Sequence, residues 1–181
     1  DLACEYNVEM FCIGTEFKIA VKERTQFWLD LIEDIRKIYP GKLVYSSNWD
    51  AYGEVPFWEK LDYIGISAYF PLTSSIDPKH PELDRSWKPV VKKLKQFSKR
   101  KNKKIVFTEF GYLSLDGCAG KTWILEKERE KYNINEKAQS TALSCLLHTF
   151  WEEEFWAGGF IWKWYPELNH RREEFYNKDY T

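Results

Sequence analysis

The chain has 181 residues, with 27 lysines and arginines against 28 aspartates and glutamates, for a formal net charge of -1. This balance argues against nucleic-acid binding, which needs a basic surface, and a hydrophobic fraction of 44% excludes a disordered chain. No apolar run approaches the ~18 residues of a membrane helix, so we expect no membrane span. The length fits one domain over residues 1–181.

Five short apolar runs have the length and composition of buried strands. Most are apolar almost throughout, which is typical of parallel strands that are covered by helices. The runs are Met10–Thr15, Lys42–Ser46, Tyr63–Ala68, Lys104–Thr108 and Ala157–Trp162.

Helical patterns separate these runs. An apolar stripe over residues 28–38 predicts a helix that ends at the Pro-Gly pair after it, and a short helix is expected at 57–61. Apolar residues at helical spacing within the lysine-rich stretch around 89–98 place its lysines on a solvent face. Asn135 is a candidate N-cap for the last helix.

This alternation indicates right-handed βαβ units and a parallel sheet. Two architectures fit it, an open doubly wound sheet or part of a (β/α)8 barrel. The first usually carries a GxGxxG turn after the opening strand, and this chain has none. A complete barrel needs eight units and ~250 residues, so a barrel would be incomplete here.

The cysteines show neither a CxxC pair nor the spacing of a small disulfide scaffold. Cys12 lies in an apolar strand and Cys145 on an apolar helix face, so we expect buried free thiols, with one disulfide left open. The four cysteines are Cys4, Cys12, Cys118 and Cys145.

The sequence shows no motif that is typical of a metal site or a cofactor site. The three histidines, His80, His148 and His170, do not share metal-ligand spacing. The chain also lacks a Walker loop and a GxSxG elbow. We therefore expect no metal and no cofactor.

Polar and aromatic residues follow every strand at its C-terminal end, the edge where parallel α/β folds bind ligands. Glu16 and Glu109 each follow directly after one of the apolar strands. A glutamate there is desolvated unless it is paired, which favours the protonated form that a proton donor needs. Two such carboxyls facing each other are the pair that glycoside hydrolysis requires, whereas salt bridges to neighbouring cations are the structural alternative. Nine tryptophans suit stacking on sugars, and with them the sequence leaves both interpretations open.

Five ordered motifs make the chain resemble glycoside hydrolase family 113, the β-mannanases of a retaining (β/α)8 clan. The most distinctive are the third and fourth. The motifs are Phe11-Cys-Ile-Gly-Thr-Glu16, Ser47-Asn-Trp-Asp50, Leu61-Asp-Tyr-Ile-Gly-Ile-Ser-Ala-Tyr-Phe-Pro71, Phe107-Thr-Glu-Phe-Gly-Tyr112 and Gly159-Phe-Ile-Trp-Lys-Trp-Tyr-Pro166.

The resemblance implies that the five strands are barrel strands four to eight. The fold class is then the C-terminal portion of a TIM barrel, without its first three strands and last helix. It also implies that Glu16 is the acid/base and Glu109 the nucleophile. Tyr69 would hydrogen-bond the nucleophile.

Further positions match substrate contacts of that family. Asn48 and Trp49 fall where the fifth barrel strand meets the sugar. Trp162 or Trp164 would form the floor beneath the cleaved sugar, and we favour Trp162. Packing at the barrel end is the alternative for each tryptophan.

The expected function is retaining hydrolysis of β-1,4-mannan or a related β-glycan. The alternative is a non-catalytic carbohydrate-binding protein, or an incomplete barrel that is inactive without its N-terminal strands. The expected partners are an oligosaccharide or polysaccharide and the N-terminal remainder of the same barrel. Polymer-degrading enzymes are usually exported, which favours secretion or the cell envelope, although the first residues lack the pattern of a signal peptide.

Overall fold

Five parallel strands form one sheet in the computed structural model, which describes residues 2–163. The order across the sheet is the order along the chain. Each strand was predicted from the sequence to within two residues at either end. The strands are β1 (Met10–Thr15), β2 (Lys42–Asn48), β3 (Ile64–Ser67), β4 (Ile105–Phe110) and β5 (Trp156–Ile161).

Helices separate the strands, so the predicted α/β class is confirmed. Three short 3₁₀ turns accompany them, at Tyr52–Glu54, Trp58–Lys60 and Arg129–Lys131. The helices are α1 (Leu2–Glu5), α2 (Lys18–Glu23), α3 (Thr25–Ile38), α4 (His80–Lys101), α5 (Thr122–Lys127) and α6 (Glu136–Phe150). Within the described residues, no helix is both long and apolar enough to cross a membrane.

The start of α6 confirms the predicted cap. The Asn135 side-chain oxygen accepts a hydrogen bond from the Ala138 backbone N–H at 2.9 Å. This bond satisfies one of the free N–H groups of the first helical turn.

The lysine-rich helix α4 begins well before the predicted stretch, and Pro89 lies inside it. The reason is tertiary packing. Trp87 is buried, and its ring lies 5.9 Å from that of Phe70 and 5.1 Å from that of Phe150. Burial of these rings stabilises helical turns that the sequence pattern alone left unassigned.

The chain divides into two compact units. Unit 1 comprises Asp1–Ser67, Leu94–Thr108 and Glu154–Gly158; unit 2 comprises Ala68–Lys93, Glu109–Glu153 and Gly159–Thr181. The single domain over 1–181 stays a prediction. In unit 1, the ring of Trp28 stacks 5.6 Å from Phe57 and meets Tyr45 edge-on at 5.3 Å.

A chain of hydroxyl groups links three neighbouring strands of unit 1. The Ser46 hydroxyl lies 3.0 Å from that of Ser67 and 2.6 Å from that of Thr108. Ser46 and Ser67 are buried, so these bonds supply the hydrogen-bond partners that buried hydroxyls require.

Gly65 in β3 packs tightly against both neighbouring strands, β2 and β4. A Cβ at this position would overlap the Tyr45 carbonyl oxygen and would lie 2.7 Å from Val44 Cγ2 and 2.9 Å from Thr108 Cγ2. We expect Gly65→Ala to lower the free energy of unfolding by about 3 kcal/mol, because the strands would have to separate. Urea denaturation measures this loss.

Gly53→Ala is the matched control, because a Cβ there would meet no atom within 4 Å. It should change the free energy of unfolding by less than ~0.5 kcal/mol. Equal stabilities of the two variants would contradict the close packing of β3.

The two outer strands of the sheet are partly open to solvent. Phe11 in β1 and Phe160 in β5 are 38% and 57% exposed. Cys12 is exposed as well, so the expectation that it is buried is wrong. The physical reason is its place in β1, which has a neighbouring strand on only one side within the described residues.

All four cysteines are free, and two of them, Cys118 and Cys145, are buried. Burial raises the pKa of the Cys118 thiol to about 12 and is also the main cause that raises the pKa of Cys145 to about 12. Since only the thiolate reacts with alkylating agents, both thiols should stay unreactive at pH 8. Their reaction should accelerate only as the pH approaches their raised pKa values.

We therefore expect iodoacetamide to label Cys12 first in the native protein, as read by peptide mass spectrometry. Cys118 and Cys145 should be labelled only after denaturation. Labelling of Cys118 at the rate of Cys12 would contradict the burial described here.

Candidate active site

The turn after β1 presents Glu16 in an unusual backbone conformation. Between the paired positions Cys12–Val44 and Thr15–Ser46, two residues of β1 face one residue of β2, which forms a bulge just before Glu16. Glu16 itself has a φ of 57°, in the left-handed region that non-glycine residues rarely adopt. Such strain is found preferentially at functional sites, so the geometry supports a role for this residue.

Backbone hydrogen bonds fix this turn. The Glu16 N–H donates to the Ser46 carbonyl at 2.8 Å, and the Phe17 N–H donates to the Tyr45 hydroxyl at 2.8 Å. The aromatic ring of Trp28 approaches Gly14 so closely that a Cβ there would lie 2.8 Å from it. The turn is therefore held against both β2 and α3.

A pocket in unit 1 opens beside this turn. Glu16 and Asn48 both line it, together with Tyr45, Ser47 and Lys18. Two of the residues singled out in the sequence thus share one pocket, as expected for groups at the C-terminal ends of neighbouring parallel strands.

The expectation that both strand-end glutamates are desolvated is wrong for Glu16, which is exposed, whereas Glu109 is half-buried. The difference follows from their strands. Glu16 follows an outer strand of the sheet, and Glu109 lies in β4, between β3 and β5.

In unit 2, Tyr69 and Glu109 are in direct contact. The Tyr69 hydroxyl donates a hydrogen bond to Glu109 Oε2 at 3.1 Å. The strands hold the two residues in register, because the Ala68 N–H donates to the Glu109 carbonyl at 2.7 Å. A hydrogen bond to a carboxylate favours its ionised form and limits its rotation.

Three tryptophans were singled out in the sequence as candidate sugar contacts. Trp162 follows β5, its N–H donates to the Phe110 carbonyl at 2.8 Å, and its side chain is 46% exposed. Trp49 follows β2 and is half-buried. Trp164 lies outside the described residues. The roles of all three stay predictions.

Sequence reasoning missed two residues beside Glu16. Tyr45 is buried within β2, and burial raises the pKa of its hydroxyl to about 12, which keeps it protonated as it accepts from Phe17. Lys18 lines the pocket and lies 3.3 Å from an Asp50 carboxylate oxygen. A tyrosine within an apolar strand is a weak signal of a buried hydroxyl; the pairing of Lys18 had no signal in the sequence.

Comparison with known proteins finds one matching family. The model of Glycoside Hydrolase Family 113 matches residues 1–181. No curated protein sequence matches the chain significantly.

The chain also matches solved structures of enzymes from family 113. The GH113 β-mannanase AaManA from Alicyclobacillus acidocaldarius, in complex with ManMIm, is 23% identical with a TM-score of 0.79, and the match covers 99% of this chain and 52% of that one. A GH113 β-1,4-mannanase is 26% identical with a TM-score of 0.78, covering 99% and 53%. A β-glucuronidase from Ruminococcus gnavus, in complex with D-glucuronic acid, shares only the fold, with 14% identity, a TM-score of 0.60 and coverage of 85% and 26%.

The chain spans about half the length of the mannanase structures that it matches. Its five parallel strands and helices correspond to part of a TIM barrel, which confirms the predicted fold class. With a family match over its whole length, the chain belongs to glycoside hydrolase family 113.

Proposed function

We propose that this protein hydrolyses β-1,4-linked mannan or a related β-glycan with retention of configuration. Glu109 is the nucleophile and Glu16 the acid/base. The observation that carries the proposal is the hydrogen bond from Tyr69 to Glu109, because a nucleophilic carboxylate must be both ionised and aimed at its target.

In the first step, a Glu109 oxygen attacks the anomeric carbon, and the bond from that carbon to the leaving-group oxygen breaks. Glu16 donates its proton to the departing oxygen. The products of this step are a glycosyl ester on Glu109 and a shortened sugar chain with a free hydroxyl.

In the second step, Glu16 acts as a base and takes a proton from water. The water oxygen attacks the anomeric carbon from the face opposite Glu109, which releases the Glu109 carboxylate and a sugar of retained configuration. This route requires the two carboxyl groups to lie ~5–5.5 Å apart, whereas inversion requires a wider gap.

The flanking residues have supporting roles in this proposal. Asn48 lines the same pocket as Glu16, where its amide can hydrogen-bond sugar hydroxyls. Trp49, and Trp162 or Trp164, supply flat apolar faces on which a pyranose ring can stack.

Product stereochemistry tests the mechanism. Mannohexaose is incubated with the protein, and the new reducing ends are followed by ¹H NMR before mutarotation. Retention predicts that the β-anomer appears first. An initial α-anomer would overturn the assignment of Glu109 as a nucleophile, and binding without any hydrolysis would favour a carbohydrate-binding protein.

The exposed outer strands favour a second candidate function. In it, the chain is part of a barrel that hydrolyses sugars only when further strands cover β1 and β5. Phe11 and Phe160 are the apolar side chains that such strands would bury. The test compares hydrolysis by the chain alone with hydrolysis after addition of the half of AaManA that the chain does not match. Hydrolysis by the mixture but not by the chain alone supports this candidate. Equal hydrolysis with and without the added half contradicts it.

Replacing Tyr69 by phenylalanine tests the hydrogen bond to Glu109. A hydrogen bond to a charged group contributes ~1.5–3 kcal/mol, so we expect kcat to fall by about 10–100-fold with little change in KM. Steady-state kinetics on mannooligosaccharides separate the two parameters.

Tyr132→Phe is the matched control. Tyr132 packs against the same apolar cluster as Tyr69, formed by Leu113, Leu115 and Leu125. This variant should retain kcat within about twofold. Equal kinetics for Tyr69→Phe and the wild type would remove Tyr69 from the mechanism.

A further inference from the structure

Three side chains with metal-ligating atoms come together in unit 2, and none of them is among the residues proposed for hydrolysis. His80 and Asp84 lie one turn apart at the start of α4, and Cys145 lies in α6. One ligand atom from each falls within 4.8 Å of the other two.

The contacts within this His80–Asp84–Cys145 cluster are already close. The Cys145 thiol donates a hydrogen bond to Asp84 Oδ1, with a sulfur–oxygen distance of 3.1 Å. Tetrahedral zinc bonds of 2.0–2.3 Å hold ligand atoms about 3.3–3.8 Å apart. Small side-chain rotations would therefore bring all three atoms around one ion.

The set of donors is one that Zn²⁺ prefers. Imidazole nitrogen, carboxylate oxygen and thiolate sulfur are its usual protein ligands, and three of them leave a fourth position for water. Residues four apart on a helix lie side by side, so α4 supplies two ligands from one face.

The burial of the cluster suits an ion that enters from solvent. His80 is exposed, Asp84 is half-buried and Cys145 is fully buried. An ion can thus reach the site past the imidazole and be held at its inner side by sulfur.

We propose that the His80–Asp84–Cys145 cluster binds one Zn²⁺ ion, which joins α4 to α6. On binding, the Cys145 S–H bond breaks, a sulfur–zinc bond forms, and the proton leaves to solvent without any change of oxidation state. Sequence spacing did not reveal the site because its ligands are of three residue types and lie on two helices.

The experiment uses Co²⁺ as a spectroscopic probe, followed by displacement with Zn²⁺. The protein carries Cys4→Ser and Cys12→Ser, so that its more accessible thiols do not bind metal. We expect one equivalent of Co²⁺ to produce thiolate-to-cobalt charge-transfer absorption and the intense visible bands of a tetrahedral site. Zn²⁺ at 100 times its Kd should raise Tm by about 5–10 °C.

Two ligand variants and one control complete the test. Cys145→Ser should abolish the charge-transfer band, and His80→Ala, an exposed change that should not impair folding, should raise Kd by more than about 100-fold, beyond the cost of losing an outer-shell contact. His148→Ala, which removes an exposed histidine from α6, should change nothing.

Three outcomes would overturn the proposal: no charge-transfer band in the protein, unchanged affinity in His80→Ala, or equal weakening in His148→Ala. The first would mean that the Cys145–Asp84 contact is only a hydrogen bond. Hydrolysis of mannooligosaccharides plays no part in these readouts, so failure here would leave the proposed function untouched.

Discussion

Glu109→Ala is expected to lower kcat/KM on mannooligosaccharides by at least about 10⁴-fold. Loss of the nucleophile removes the covalent intermediate, and a factor of this size corresponds to about 5.5 kcal/mol of transition-state stabilisation. Glu130→Ala, which removes an exposed carboxylate after α5, is the control and should retain full activity.

Added azide distinguishes lost chemistry from lost folding in this variant. With an aryl β-mannoside, azide can occupy the space left by the Glu109 carboxylate and attack the anomeric carbon directly, giving an α-mannosyl azide of inverted configuration. A β-mannosyl azide, or activity of Glu109→Ala near that of the wild type, would contradict a nucleophilic role for Glu109.

Substitutions at Glu16 should separate activity from stability. Both Glu16→Ala and Glu16→Gly are expected to lower kcat on unactivated mannooligosaccharides by about 10²–10⁴-fold, because proton transfer is lost. An aryl substrate, whose leaving group needs no proton, should show a smaller loss in the first step. Azide should then give a β-mannosyl azide, the opposite product to that of Glu109→Ala.

The left-handed backbone at position 16 adds a second readout. A non-glycine residue in this conformation costs ~1–2 kcal/mol, which glycine avoids. Glu16→Gly should therefore be about 1 kcal/mol more stable to urea than Glu16→Ala, despite the same loss of activity. If alanine is the more stable, the turn is not strained; Glu23→Ala, an exposed change in α2, is the control for both readouts.

The sequence was sufficient to predict the strands and the Asn135 cap, because both depend on local signals. Continuous apolar runs such as Lys42–Ser46 carry the strand signal themselves, and an asparagine before a helix acts within three residues. The contact between Tyr69 and Glu109 was also predicted, but from resemblance to a family rather than from residue spacing.

Features that depend on distant contacts could not be predicted. The early start of α4 depends on Trp87 meeting Phe150, and the exposure of Cys12 depends on β1 being an outer strand. The backbone at Glu16 follows from a bulge in strand pairing. Each of these is set by which elements become neighbours, which the periodicity of one segment does not encode.

Within the described residues, β1 has a neighbouring strand on one side only, and this has a practical consequence for handling the chain. Unpaired backbone groups on an outer strand are a template for strands of other molecules, and a net charge of -1 gives little electrostatic repulsion between copies. Concentrated solutions should therefore lose protein to sheet-edge association that starts at β1. Cys12→Lys, a change at an exposed position, would place a charge on that edge and improve colloidal stability without entering the core.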